Sequence, residues 1–170
     1  MIIRTENERE YQEVYDLNYQ AFGNREDESK LVERIRTSEG FVPELSLVAE
    51  MDDRIVGHLL LSEATVEDQE ESHTVIVLAP IAVKPDMQAR GIGSSLIQEG
   101  IKRCKDLGYE LVLLIGHPSY YPRLGFQPAR PFGLELLQFE VSDDIFMVYE
   151  VKEGALLKMK GELKYPEAFF

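Results

Sequence analysis

Cysteine is all but missing: Cys104 is alone in 170 residues, which excludes a disulfide framework and a Cys-x-x-Cys metal site. It shares a helical face with Ile97 and Ile101, the setting of a buried structural thiol rather than a nucleophile. Cations are scarce as well. Lys+Arg number 18 against 31 Asp+Glu, a formal net charge of -13. Binding to a phosphate backbone relies on clustered cations, so no nucleic-acid partner is expected. An acidic surface suits a cationic partner, and solubility alone accounts for it equally well. No uninterrupted apolar stretch approaches the roughly 18 residues that span a bilayer. The start, Met1-Ile2-Ile3-Arg4-Thr5-Glu6, lacks the basic-then-apolar layout of a signal peptide. The expectation is a cytoplasmic protein with no membrane partner. Repeats, linkers and low-complexity segments are absent too, so residues 1–170 read as one domain. Its core lies at about 3–151 with a strand-like tail at 155–170, enough chain to bury roughly 70% of its unfolded surface.

What is present concentrates between Val77 and Leu96. An uncharged run through Val77-Leu78-Ala79-Pro80-Ile81-Ala82-Val83 gives way to turn chemistry at Lys84-Pro85-Asp86. Gly91-Ile92-Gly93 then opens a helical spacing through Leu96, Ile97, Ile101, Cys104 and Leu107. Strand, loop and helix in that order leave unpaired backbone amides at a helix N-terminus, where the macrodipole favours an anion. Glycine at 91 and 93 removes the Cβ atoms that would hold a diphosphate away, and Arg90 adds a five-donor cation. A Gly-x-Gly at a helix start is also a common tight turn, and three residues do not choose between the two. A P-loop is excluded because Ser94-Ser95 follows Gly93 without a lysine. The dinucleotide fingerprint fails at Leu96, where a third small residue belongs.

The remaining segments alternate regularly. Met1–Arg4 reads as a short strand. Thr5 and Glu8 have capping-box spacing ahead of a helix through Tyr11, Val14, Tyr15, Asn18 and Phe22, closed by Gly23-Asn24. A second helix runs through Leu31, Val32 and Ile35. The acidic trio Glu26, Asp27 and Glu28 reads as its solvated start. Leu45–Met51 and Ile55–Val66 form a hairpin about Asp52-Asp53-Arg54, and His73–Val83 is the central strand. Proline cannot donate to a ladder, so Pro80 marks a disturbed place in that strand. Glu110–Gly116 is a buried strand, and the helix before it makes a parallel crossover that brings Gly91 and the end of this strand to one sheet edge. Leu157, Met159, Gly161, Leu163 and Tyr165 alternate with polar residues in the tail. That pattern predicts either an added edge strand or pairing with a second copy in a homodimer.

Gln88-Ala89-Arg90-Gly91-Ile92-Gly93, preceded by Ile81-Ala82-Val83, resembles the coenzyme A signature Gln/Arg-x-x-Gly-x-Gly/Ala of the GNAT family of N-acetyltransferases. Tyr121-Pro122-Arg123-Leu124-Gly125-Phe126 resembles that family's Tyr-x-x-x-Gly-Phe. The run His117-Pro118-Ser119-Tyr120-Tyr121-Pro122-Arg123 is closest to a bacterial branch with a His-Pro-x-Tyr-Tyr-Pro-Arg second motif. The resemblance runs from about Ile3 to Val151.

It implies an α/β fold with helices on both faces of a mixed sheet, splayed between two parallel strands. It also implies acetyl-CoA as co-substrate, no metal, and acetyl transfer to a primary amine by direct attack in a ternary complex. The acceptor is a small molecule or a peptide. The diphosphate would lie on Gln88, Ala89, Arg90, Gly91, Ile92, Gly93 and Ser94, and the pantetheine arm on backbone groups of Ile81, Ala82 and Val83 in an opening marked by Pro80. The family's first two helices flank the acceptor entrance, so Glu26, Asp27 and Glu28 face either an amine or only solvent. Tyr121 takes the place of the general acid; a phenol of reference pKa about 10 stays protonated at neutral pH and can serve a thiolate leaving group of about 8.5. For the base, His117, Glu135, Glu63, His58 and water remain open, and no motif selects among them. A non-catalytic acyl-CoA sensor and a transferase of another acyl group are the rival readings. Pro122, close behind Pro118, reduces the helix usual at this place in the family to a turn.

Overall fold

Uncharged β-branched runs bounded by turn residues become the strands, and the 3.6-residue periodicities become the helices. The computed structural model describes residues 1–170. In chain order it contains β1 (Ile2–Thr5), α1 (Tyr11–Ala21), α2 (Asp27–Arg36), β2 (Phe41–Met51), β3 (Arg54–Glu67), β4 (Ser72–Val83), α3 (Ile92–Asp106), β5 (Leu111–Ile115), β6 (Gln127–Pro128), β7 (Leu134–Glu135), β8 (Phe146–Glu150), α4 (Ala155–Lys158) and β9 (Gly161–Lys164). The strands form one sheet in the order β1-β2-β3-β4-β5-β8-β6, with β9 beside β3 and β7. Only β4–β5 and β7–β9 are parallel. This is the mixed α/β sheet expected.

The period of two on β3 decides which helix lies on which face. Leu59 and Leu61 point to one side, where Leu96, Ile97 and Cys104 of α3 join them in the largest core cluster. Leu60 points to the other, against Val32 and Ile35 of α2, and Val14 and Leu17 of α1 pack beside it on Val48 and Ala82. Cys104 is a buried free thiol whose pKa burial pushes up to about 12, in keeping with a structural role.

Two local expectations are corrected. The capping box lies two residues later than Thr5-x-x-Glu8: the Asn7 amide donates to the Glu10 carboxylate at 2.8 Å, while Thr5 ends β1 and its hydroxyl accepts from Arg103 at 2.7 Å. The tail is not one strand. Ala155–Lys158 forms a helical turn after left-handed Gly154 (φ 91°), and only Gly161–Lys164 is extended. That strand pairs with β3 and β7 of its own chain, so it is the added strand rather than a free pairing edge.

Beneath α1 lies a buried polar network that fixes the helix on the sheet. Glu6 and Arg36 form an ion pair at 2.8 Å with side chains only 3% and 8% exposed. Ser46 Oγ donates to Glu6 at 2.8 Å and lies 3.2 Å from His58 Nε2. Asn18 Nδ2 lies 3.3 Å from His58 Nδ1. A donating Asn18 makes Nδ1 the acceptor, so Nε2 carries the proton toward Ser46. Complete burial pulls the His58 pKa down to about 3, with the Arg36 charge adding to the effect. The unfolded chain therefore holds a His58 proton between pH 6.5 and 3 that the folded chain does not, and stability falls as pH is lowered through that window. This group removes up to about 1.4 kcal/mol per pH unit. Urea midpoints of the wild type and His58→Gln between pH 7 and 5 should show a shallower loss on acidification in the variant; parallel curves would refute the assignment.

Candidate functional site

The site begins where β4 and β5 part. Their parallel ladder holds only Ile76 opposite Val112 and Val77 opposite Leu113. Beyond it, β5 follows β8 as far as Ile115 opposite Phe146, and β4 follows β3 as far as Val83 opposite Gly57. The β3–β4 register slips between Leu59 opposite Ile81 and Leu61 opposite Leu78. One extra residue is thus accommodated in β4 at Ala79-Pro80, a bulge at the predicted place.

Hydrogen-bond phase shows which backbone groups the gap receives. The Lys84 amide donates to the Val56 carbonyl at 2.9 Å. Antiparallel ladders alternate bonded and non-bonded pairs, so Ala82 is bonded to His58 while Ile81 and Val83 turn away from β3 toward the gap. Of the three residues expected to meet a pantetheine arm, Ala82 is the one whose backbone is already committed, and its side chain is buried under α1. Gln88 Nε2 donates to the Val83 carbonyl at 3.2 Å, tying the following loop to the strand end.

That loop leads into the N-terminus of α3. Ala89 (φ 63°) and Gly91 (φ 83°) are left-handed, an alternation found in main-chain concavities that bind anions. The first intrahelical bond runs from the Ser95 amide to the Gly91 carbonyl at 3.0 Å. No side chain caps the helix, so the amides of Gly91, Ile92, Gly93 and Ser94 stay available. The Ile92 side chain is buried in the core and anchors this turn. Arg90 is exposed beside it.

The second motif closes on the first. Tyr121–Leu124 is a single 3-10 turn with Pro122 in it, the shortened helix expected. The Tyr120 and Ser94 hydroxyls are 3.1 Å apart, and a Cβ added at Gly93 would meet Tyr120 Oη at 3.1 Å. The place of Tyr120 over the helix start shows in the sequence only as adjacency to Tyr121. Tyr121 is 9% exposed and packs edge-on against Tyr120 and Phe126, with centroids 5.0 and 5.6 Å away. Burial pushes its phenol up to about 12, with a smaller contribution from Tyr120. Its ring borders an open cavity of about 290 Å³ between the splayed strands, with Leu78, Pro80 and Ile81 on one wall and Ile115 on another. Phe22, Glu28 and Leu31 complete it from the α1–α2 side.

The candidate bases separate. His58 is fully buried in the network under α1. Glu63 accepts the Tyr109 hydroxyl. Glu135 is bound by Arg130 at 2.9 Å and by the Leu136 amide at 2.8 Å, which hold its carboxyl below the usual range, the amide contributing most. None of these three lines the cavity. His117 is exposed in the loop after β5 with Nδ1 2.8 Å from Ser119 Oγ. The acidic trio also divides: Glu26 accepts from the Tyr15 hydroxyl at 2.7 Å and pairs with Lys30 at 3.3 Å, and Asp27 pairs with Arg25. Glu28 turns inward, its Oε1 sealed from solvent without a hydrogen-bond partner.

Comparison with known proteins agrees with this geometry. A family model described as an acetyltransferase (GNAT) domain matches residues 2–129. The uncharacterised N-acetyltransferase YjhQ of Escherichia coli (strain K12) is 37% identical over 117 residues, 69% of this chain and 64% of its own length, so the match spans less than two thirds of that relative. The uncharacterised N-acetyltransferase YhbS of the same strain is 31% identical over 143 residues, 84% of this chain and 83% of its own. The crystal structure of E. coli YhbS in complex with CoA superposes with a TM-score of 0.90 at 27% identity, over 99% of this chain and 91% of that one. A GNAT family acetyltransferase from Brucella melitensis in complex with acetyl-CoA gives 0.79 at 25% identity, over 99% and 97%.

Gly116 lets the Tyr121 ring lie against the end of β5, because a Cβ there would fall within 2.8 Å of Tyr121 Cδ2 and closer still to Cε2. Gly116→Ala should therefore cost about 1–3 kcal/mol by overpacking, read from the urea midpoint. An unchanged midpoint would mean the ring is not held there.

Proposed function

The chain belongs to the GNAT acetyltransferase family, and from that premise we propose that it transfers the acetyl group of acetyl-CoA to a primary amine by direct attack. The observation that carries this reading is the parting of β4 from β5 beside a helix start with open amides. The diphosphate rests on the amides of Gly91 to Ser94, with Gln88 and Ala89 shaping the loop and Arg90 at its rim. The pantetheine arm lies in the gap and completes the edge left by the Ile81 backbone and the Val83 amide as a missing strand would. The acetyl group then reaches the cavity that Tyr121 borders.

In the transfer, the lone pair of the neutral amine forms the new N–C bond and the C–S bond breaks, leaving its electron pair on sulfur. The Tyr121 hydroxyl donates to that sulfur. With its phenol raised to about 12, proton transfer to a thiolate of about 8.5 alone is uphill. The nitrogen becomes acidic as it joins the carbonyl carbon, and its proton restores the phenol, so the net movement is from nitrogen to sulfur. No helix is long and apolar enough to cross a membrane. A cytoplasmic place of work belongs to the same proposal.

Mixing the protein with acetyl-CoA and a panel of primary amines should release free thiol; tight acetyl-CoA binding with no release would favour a sensor. Tyr121→Phe should lower kcat by about 10²-fold with acetyl-CoA affinity unchanged, and an unaltered kcat would reduce Tyr121 to a packing residue. Gly93→Val, which pushes a side chain at Tyr120 and the diphosphate path, should weaken acetyl-CoA binding by about tenfold or more in calorimetry.

A further inference from the structure

We propose that Tyr120 is a positioning residue that ties coenzyme binding to the transfer step: its hydroxyl, through Ser94, shapes the turn that takes the diphosphate, and its ring aims the Tyr121 phenol. The inference rests on the acetyltransferase reading and adds a residue to its machinery. Tyr120 touches both sequence motifs. Its Oη lies 3.1 Å from Ser94 Oγ, and Ser94 stands in the first turn of α3, where the amides are open. A Cβ on Gly93 would stand 3.1 Å from the same Oη, so the phenol tip lies over the helix start. The ring meets Tyr121 edge-on, with centroids 5.0 Å apart and planes at 89°. The Arg123 guanidinium lies 5.8 Å from the Tyr120 centroid, within cation–π reach. Tyr120 is thus fixed between the helix start and the turn that carries Tyr121.

A serine hydroxyl has one proton to give and lone pairs with which to accept. The phenol is the more acidic of the two hydroxyls and donates to Ser94 Oγ, which leaves the serine proton for a phosphate oxygen. Helical side chains lean toward the N-terminus, so Ser94 Oγ is carried toward the same end as the open amides. Hydroxyls in series polarise one another, and the first bond strengthens the second. The ring acts separately. Packing directs the Tyr121 phenol, and Tyr120 is one of the two aromatic rings that provide it. A misplacement of about 1 Å at a reacting group costs on the order of 10²-fold in rate. Removing the hydroxyl and removing the ring should therefore leave different kinetic signatures.

The test combines calorimetry with acetyl-CoA and thiol release with the most rapidly acetylated amine of the panel. Tyr120→Phe keeps the ring and should weaken acetyl-CoA binding about three- to tenfold, with kcat within about twofold. Ser94→Ala should weaken binding by a similar factor, and the double variant should bind no worse than either single one. Tyr120→Leu should in addition lower kcat by about tenfold or more. In the Tyr121→Phe background the same change should lower kcat by less than about twofold, because no phenol remains to be aimed. Unchanged affinity in Tyr120→Phe, multiplicative losses with Ser94→Ala, an unchanged kcat in Tyr120→Leu, or an equal kcat loss in both backgrounds would overturn the assignment; the equal loss is what a merely structural role gives. Should Tyr120→Leu fail to fold, the hydroxyl cycle of Tyr120→Phe and Ser94→Ala decides alone. Any of these failures beside a wild type that binds acetyl-CoA and releases thiol sinks the positioning role only; a wild type that does neither sinks the transferase reading beneath it.

Discussion

Two neighbouring parallel strands that share a ladder at only two residue pairs govern the rest of this structure. Had β4 stayed on β5 beyond Val77 and Leu113, the outward amides of Ile81 and Val83 would be spent in the sheet and no cavity would exist. The parting has a local cause on each strand. β5 is drawn along β8, antiparallel over its whole length from Leu111 to Ile115. β4 carries the bulge at Ala79-Pro80, where proline has no amide to offer. A sheet interior is an expensive place for unpaired backbone. The cost is tolerable here because the gap opens to the edge that α3 and the β5 loop share, where water or an extended ligand completes the ladder.

A chain of net charge -13 is an unpromising host for the anionic coenzyme proposed, and the loop before α3 offers it open main-chain amides at a helix start. Amides and the helix dipole act only within the first turn, so they leave the long-range acidic field unchanged. The loop is held in a costly shape. A left-handed non-glycine residue such as Ala89 (φ 63°) costs about 1–2 kcal/mol. It persists because Gln88 is tied to Val83 and Ile92 is locked in the core. Strain kept in place by its surroundings is commonly a mark of function.

Much of this was legible in the sequence because it depends on local chemistry. Pro80 announced the bulge, Gly91 and Gly93 the open helix start, and Asp52-Asp53 a hairpin turn that the structure makes with both residues left-handed, at φ 52° and 60°. Pro122 announced the single turn at Tyr121. What stayed hidden depends on the rotation of whole elements. The packing of Val32 and Ile35 on Leu60 sets the azimuth of α2, and nothing local separates Glu28 from Glu26 and Asp27. His58 was legible from its neighbours: it stands alone in the run Ile55–Ser62, which carries no acidic or other basic residue and is buried throughout in the structure. The tail misled because its alternation is real but interrupted. Gly154 turns the chain into a short helix, and Gly161 takes a φ of 134° that no strand side chain would adopt.

The way Tyr121 is fixed bears on what it can do. A buried phenol is ordinarily positioned by bonding its hydroxyl to a protein acceptor, which would also occupy the proton. Here the ring is held by faces and edges alone: Tyr120 and Phe126 pack against it nearly perpendicular, at 89° and 73°, and Gly116 lets it approach the strand end. Orientation is thereby separated from hydrogen bonding, so the hydroxyl stays free while its direction is set. A donor whose geometry is settled before the ligand arrives needs no rearrangement when charge develops beside it. Under the proposed transfer a departing sulfur would meet such a donor, and it is aromatic packing and a glycine, rather than a second polar side chain, that hold the residue.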